Sequence, residues 1–565
     1  MVRRYVVAPH GGRGTYGDIG SALRSAARDR AARIEIRPGR YEETLAVHGT
    51  VELVALGEPG SVVVSPAQGS ALTASGAVSV RGLVLVGRGA DAVDCRAGAL
   101  TLDGVEVHAH GGVCVHARRG TSVTLTNGQF RYGRVLFAGA TGVVERCRFV
   151  DAADNALAVI EGARVTVRDS RIEGSRIHGL RVSDASATVT GCEFTRIEKA
   201  ALAADTRAEL VVAHCTITAV HADALYFLEQ SRGLVHDTRV TDAENGISVE
   251  SGADPVVRRC VFTGCRDTGI NVQPAGRGTF EECEVVDAGG VSVFSTGGAT
   301  PRIDGCRISG GNVGVAVMDK GRGDFARIDI ERLTSVALRV RDGSRAVFAG
   351  VDVRRCAAGL EVLGDPSTTV ELTDARFGDC SMAAVAAGGR SRIALRDVLV
   401  RGALLGFGSV EEAQLRLRDC AAAGVRVGAL ASGTSTFEAR GLAVTDADGV
   451  GLLGRDSAFL DVAASRFADC AVGIAAQGES RGRVADCSVT GTGNQAAQRN
   501  GLIELVSLDT SLPVVESAPE TAAPPPATVV NNYYGPVIND AVTNCQFFWN
   551  NTRVIQRTDR NGADT

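Results

Sequence analysis

Lysine is almost missing from this chain. Lys199 and Lys320 are the only two, so arginine carries nearly all of the positive charge. The 60 basic residues stand against 65 acidic ones, for a formal net charge of −5, and no global basic field argues for a nucleic-acid partner. Aromatic residues are equally scarce, at 4% of 565 residues with a single tryptophan. A core built on large rings is not expected; a narrow one filled by valine, leucine, alanine and cysteine is. No apolar run is long enough to span a bilayer, and Met1–His10 lacks the apolar stretch of a secretion signal. No CxxC spacing occurs among the fifteen cysteines, so nothing in them points to a metal or cofactor. Reduced thiols and a cytoplasmic location are expected.

What the chain does have is a repeat. A small residue or cysteine is followed two positions later by an apolar residue and then a polar turn. The mark falls at Cys147, Ser170, Cys192, Cys215, Thr238, Cys260, Cys283 and Cys306, always 22 or 23 residues apart. Weaker copies run back to Leu83, Val105 and Gly128, and forward through Glu331, Val351, Ala375, Val398, Cys420, Leu442, Ser465 and Cys487. A fixed period in this range signals a solenoid whose units bury their apolar faces only against neighbours. Within each unit, stretches such as 163–168, 179–182, 246–249, 269–272 and 314–317 alternate apolar and polar residues and are rich in Val, Ile and Thr. That is strand patterning broken by turns, not helix patterning. Three short strands per repeat predict a right-handed parallel β-helix of about 19 to 21 coils. At roughly 4.8 Å per coil this is on the order of 90 Å of solenoid.

The mark cysteines, with Cys265, Cys356, Cys380 and Cys470 five residues beyond a mark, read as small buried fillers. Pairing between coils is not expected. Stacked side chains lie about 4.8 Å apart, beyond the roughly 3.5–4.5 Å that a disulfide wants between Cβ atoms.

Residues 1–50 read as an N-terminal cap. Asp18 is a good helix N-cap, and Ile19, Leu23, Ala26 and Ala27 form one apolar helical face. Such a helix would cover an open end of the stacked strands. The phrases Val7-Ala-Pro-His-Gly-Gly and Ile34-Glu-Ile-Arg-Pro-Gly-Arg-Tyr-Glu-Glu resemble the opening of pectin methylesterase-like β-helices. With the repeat, residues 1–505 resemble the pectin-lyase-like superfamily. That resemblance implies activity on acidic polysaccharides: lyases with clustered calcium-binding aspartates, hydrolases with paired aspartates and a His-Gly, methylesterases with two aspartates flanking an arginine. None of these phrases occurs here; Ile177-His178-Gly179 has no aspartate pair on the preceding rungs.

Two sets of polar residues remain as candidates. His178, Lys199, His221, Asp223 and Asn245 fall at similar offsets after their marks and are expected along one edge. His214 and Asp237 share a column on adjacent rungs, beside His236, and a histidine–carboxylate contact there would tune a general base. Both sets are also what solvated turns look like. No catalytic or metal-binding residue is assigned from sequence.

The solenoid is expected over 51–508, followed by a Pro/Ala-rich linker at 509–527 and an Asn/aromatic-rich β-prone segment at 528–558 that holds Tyr533, Tyr534, Phe547, Phe548 and Trp549. Residues 559–565 read as a disordered end. Asparagine pairs and aromatics favour strand addition between chains, and the segment loosely resembles assembly motifs at the ends of bacterial conflict and signalling proteins. The favoured expectation is a non-enzymatic scaffold or recognition protein that binds a protein partner or itself through this tail, without nucleic acid or membrane. The alternative is a carbohydrate-active enzyme (lyase, epimerase or esterase-like) with a non-standard site near residues 178–245.

Overall fold

The computed structural model describes residues 2–491, 495–499 and 502–516. They form an all-β parallel solenoid of about 20 turns with one short helix. The chain divides into two compact units, Met1–Gly289 and Gly290–Thr565.

In the first unit each turn contributes one strand to each of three parallel stacks. Arg164–Arg168 lies between Thr141–Glu145 and Ser186–Thr190 in the first sheet. Arg171–Ser175 lies between Arg148–Ala152 and Glu193–Ile197 in the second, and Leu180–Ser183 between Leu157–Ile160 and Leu202–Asp205 in the third. Alternation sends one set of side chains inward, so Val165, Val167, Ile172, Leu180 and Val182 are buried. The few rings are used in the core after all. Phe130 and Phe149 are fully buried and stack at 5.1 Å between centroids.

The mark residues sit inside the corner between the first and second sheets, and their chemistry explains why Cys, Ser and Thr alternate there. The residue before each mark is left-handed: Arg146, Asp169, His214, Asp237 and Arg259 have φ between 48° and 53°. That conformation costs a non-glycine residue about 1–2 kcal/mol. The corner offsets it with hydrogen bonds. Cys192 Sγ donates to the Thr190 carbonyl at 3.4 Å and Cys215 Sγ to the Ala213 carbonyl at 3.3 Å. Ser170 Oγ does the same to the Arg168 carbonyl at 2.8 Å, and Thr238 Oγ1 to the His236 carbonyl at 3.1 Å. A small side chain with one proton to donate fits; the expectation of mere filler missed this. The fourteen cysteines among the described residues are buried and form no disulfide.

The helix α1, Ile19–Ala26, packs on the strands Arg3–Val7, Ala32–Ile36 and Leu45–Ala55 through Ile19, Ala22, Leu23 and Ala26. Asp18 caps it by accepting from the Ser21 N–H at 2.6 Å, and Glu43 accepts from the Ile19 and Gly20 N–H groups at 2.8 Å each.

The second unit repeats the pattern with two differences. Thr369–Gly389 and Arg392–Ser409 run as single strands through positions expected to be turns. The mark expected at Glu331 lies three residues earlier. Arg307 pairs with Asp329 and Ile328 with Val351, so the buried Ile328 holds the mark position and Glu331 faces out. A branched apolar residue fills the corner there, which the small-residue signature could not find. Phe325 and Phe348 stack at 4.9 Å. Glu361 is fully buried and bound by two arginines, Arg341 (Nε at 2.8 Å) and Arg339 (Nε at 3.3 Å). The strand Val514–Glu516 pairs with Gln495–Arg499, so strand structure extends into the stretch read as linker. Tyr533, Tyr534, Phe547, Phe548 and Trp549, with the whole 528–558 segment, lie outside the described residues. No helix among the described residues is long and apolar enough to cross a membrane.

Candidate functional site

The richest polar cluster stands on the outer face of the third sheet in the first unit. In Asp223–Phe227, Leu225 and Phe227 point into the core, which turns Tyr226 outward. In the next strand, Asn245–Val249, Ile247 and Val249 point inward and Ser248 outward. Register pairs Asp223 with Asn245 and Tyr226 with Ser248. One oxygen of Asp223, Oδ1, therefore takes two donors from the neighbouring turn, Asn245 Nδ2 at 3.0 Å and Ser248 Oγ at 2.5 Å. Burial pushes the Asp223 carboxyl above the ordinary aspartate range; these two bonds oppose the shift, and the nearby Glu244 and Glu250 carboxylates add to it. With Oδ1 occupied by donors, Oδ2 is the oxygen left to carry a proton.

Around it, Tyr226 Oη donates to Glu250 Oε1 at 2.6 Å. Burial and this carboxylate raise the phenol well above its usual range. One column further along, Arg181, Ala203 and Tyr226 are in register on successive turns. Arg181 and Tyr226 are thus two rungs apart, about 10 Å, with only a methyl group between them. Arg181 Nε donates to Asp205 Oδ2 at 2.7 Å. Burial alone would raise Asp205, but hydrogen bonds from Arg181, Ser183 and Thr206 outweigh it and hold the carboxyl low. One face thus carries a carboxyl biased towards the neutral acid and another held as the anion. Environments that push two carboxyls apart in this way separate acid from base roles.

The edge expected from sequence is only partly assembled. Asp223 and Asn245 meet. His178 is half-buried, and its Nδ1 accepts the Ala200 N–H at 3.1 Å. Burial, then Arg181 and Lys199, push its imidazole below the usual value, so it acts as a neutral tie between turns. Lys199 and His221 are exposed, and the His221 carbonyl accepts from Arg266 Nη2 at 2.8 Å. Arg181, Asp205, Tyr226, Ser248 and Glu250 were missed, because they are single polar residues inside apolar alternations. The available signal was a polar residue at an outward strand position on each of several successive turns.

The second expected set does come together. His214 and Asp237 are successive left-handed corner residues, at φ 53° and 52°. His236 Nδ1 lies 2.7 Å from Asp237 Oδ2, and the His214 and His236 rings are 5.5 Å apart, edge to face. Arg259 donates to both oxygens of Asp237 at 2.8 and 2.9 Å, and with His236 holds this carboxyl far below its usual range. The ligand atoms of His214, His236 and Asp237 lie within 4.8 Å of one another, as do those of Asp91, Asp94 and His116. In each group arginines already engage a carboxylate: Arg259 on Asp237, Arg96 and Arg118 on Asp94. These are ion-pair networks at solenoid corners and edges rather than open ligand sets.

Residues 71–212, 155–300 and 245–400 match the family described as right handed beta helix region. The matches cover more than half of the chain, which belongs to that family. No curated protein matches the sequence. Among solved structures, the chain is similar to the catalytic domain of a GH87 α-1,3-glucanase at 13% identity, with a TM-score of 0.37 over 50% of this chain and 64% of that one. It is similar to the periplasmic alginate epimerase AlgG at 7% identity, with a TM-score of 0.28 over 71% and 78% of the two chains. It is also similar to the pectin methylesterase from Aspergillus niger at 14% identity, with a TM-score of 0.26 over 46% and 87%. The chain thus spans 64% of the length of the glucanase domain. At these identities the likeness shows the fold alone. The expectation of a non-enzymatic scaffold is corrected, since the structures of similar fold are a glucanase, a pectin methylesterase and an alginate epimerase; what those proteins act on pertains to them alone.

Proposed function

We propose that the chain is a carbohydrate-active enzyme that performs acid–base chemistry on a polysaccharide laid across the outer face of the third sheet, with Asp223 as the proton donor. The observation that carries this reading is the Asp223 carboxyl, raised by burial yet set on a sheet's outer face, with Oδ1 tied by Asn245 and Ser248. A carboxyl that holds its proton more tightly than usual can deliver it to an oxygen that departs or gains charge, and then accept one as the anion. Arg181, anchored on Asp205, lies in the column of Tyr226 and Ser248 and would hold hydroxyl or acidic groups of the chain being processed. Tyr226, anchored on Glu250, would orient the sugar beside Asp223.

The test is a panel of α-1,3-glucan, alginate, pectin and polygalacturonate, scored for new reducing ends, unsaturated products, epimerised residues and released methanol. The wild type should turn over at least one, and Asp223→Asn should lower that rate by about 10²- to 10⁴-fold. Failure of the wild type on the whole panel, or an Asp223→Asn variant as active as wild type, would refute it.

A further inference from the structure

The second sheet carries an aromatic group that the Asp223 reading does not use. In Glu106–His110, Val107 and Ala109 are buried, so Glu106, His108 and His110 face outward. The neighbouring strand Gln129–Arg131 buries Phe130 and sets Gln129 beside Glu106 and Arg131 beside His108. Tyr132 follows directly and is 42% exposed, in a protein whose phenylalanines are mostly buried. Its φ is 71°, left-handed for a bulky residue. Two ladder bonds hold it so: its N–H donates to the Val150 carbonyl at 3.2 Å, and its carbonyl accepts from the Ala153 N–H at 3.0 Å.

The strained corner places the ring against two histidines. His110 and Tyr132 stack with centroids 5.3 Å apart and planes 26° from parallel. His108 stands edge-on to both, at 5.9 Å from Tyr132 and 6.5 Å from His110. Glu106 fixes the polar border, with Oε1 2.8 Å from His108 Nε2 and 3.1 Å from Arg131 Nε. The same corner is left-handed on the following turns, at Asp151, Gly174, Arg196 and Ala219, so what sets this turn apart is the exposed ring it carries.

We infer that His108, His110 and Tyr132 form a binding platform for a pyranose ring of a polysaccharide. The π-face of an aromatic ring is negative and attracts the weakly positive C–H face of a sugar. A fixed ring gives this contact area at low entropic cost. Glu106 and Arg131 border the rings with an acceptor and a donor for hydroxyl groups, where an apolar peptide or lipid would need further apolar side chains. The platform binds and does not react. It lies on a different sheet from Asp223, and its saccharide affinity does not depend on turnover there.

The test is calorimetric titration of the full chain with hexasaccharides of α-1,3-glucan, alginate and polygalacturonate. At least one should bind. Tyr132→Asn, chosen because asparagine tolerates the left-handed backbone, and His110→Ala should each weaken binding by about tenfold, the equivalent of 1.4 kcal/mol. Phe459→Ala, which removes another exposed ring, should leave it unchanged. Absence of binding to all three, or affinity in Tyr132→Asn within about twofold of wild type, would overturn the platform. So would binding lost only in Asp223→Asn, which would put the saccharide on the third sheet alone.

Discussion

Ser170→Ala isolates what a mark residue does for the solenoid. Ser170 is 2% exposed. Its Oγ donates to the Arg168 carbonyl at 2.8 Å and accepts the Cys147 N–H of the preceding turn at 3.1 Å. Removing the hydroxyl leaves the Cys147 amide without this partner in a corner closed to water, while the Arg168 carbonyl keeps the Arg146 N–H at 3.1 Å. A buried unpaired group costs about 1–3 kcal/mol, and that is the loss expected. Ser170→Cys should cost less than about 1 kcal/mol, because cysteine fills the same position at 192 and 215 and donates to the equivalent carbonyl. Repeat arrays unfold by segments, so a global melting curve is a poor reporter. Hydrogen exchange read at the amides of residues 146–148 and 170–172 is the suitable assay. In the alanine variant exchange there should accelerate by about fivefold or more, since every 1.4 kcal/mol is tenfold. An alanine variant within about 0.5 kcal/mol of wild type, or a cysteine variant as costly as alanine, would show that mark residues only fill space.

Three further outcomes are expected. Glu361→Ala leaves Arg339 and Arg341 as buried cations without their shared carboxylate and should destabilise the second unit by about 3–5 kcal/mol in urea unfolding; a loss below about 1 kcal/mol would mean the arginines reach water. Asp223 has a folded-state value raised above the unfolded one of about 3.9, so the native state keeps a proton that the unfolded chain has released. Stability should fall as pH rises from about 3.9 through the folded value, and Asp223→Asn should remove that fall and be the more stable at pH 7; melting temperatures against pH that coincide for the two proteins would contradict this. Burial pushes the Cys114, Cys265 and Cys380 thiols up to about 12, so a thiol reagent at pH 8 should label them only after unfolding, and rapid labelling of the native protein, read by peptide mass, would place them outside the core.

The repeat was legible because its register mark has a mechanism. A corner that is left-handed on every turn selects Asp, Gly, Arg or His, and the next position selects a small proton donor, so Cys192, Cys215 and Thr238 announce themselves. Where an apolar side chain substitutes, as at Ile328, the signal disappears although the geometry does not. The site was legible only where polarity fell in turns. Asp223 and Asn245 stood out by offset, and His214 and Asp237 by column. Tyr226, Ser248 and Asp205 sit inside strands that read as apolar, and their outward direction follows from the register between turns, which a single repeat does not display. His178 was the reverse case. Its loop position put it along the expected edge, but its Nδ1 is spent on the Ala200 N–H of the next turn. The aromatic group at 108–132 went unread because its three rings come from one strand and the corner of the next turn.

The central claim is a carboxyl at Asp223, raised by burial, that meets a sugar. Carbon-detected NMR titration of the side-chain carboxyls, with Asp223→Asn to assign the resonance, tests it most directly. The account predicts a midpoint above the ordinary value of about 3.9 that moves further when a hexasaccharide substrate is added. A midpoint at or below that value, or one indifferent to every saccharide of the panel at saturation, would contradict it.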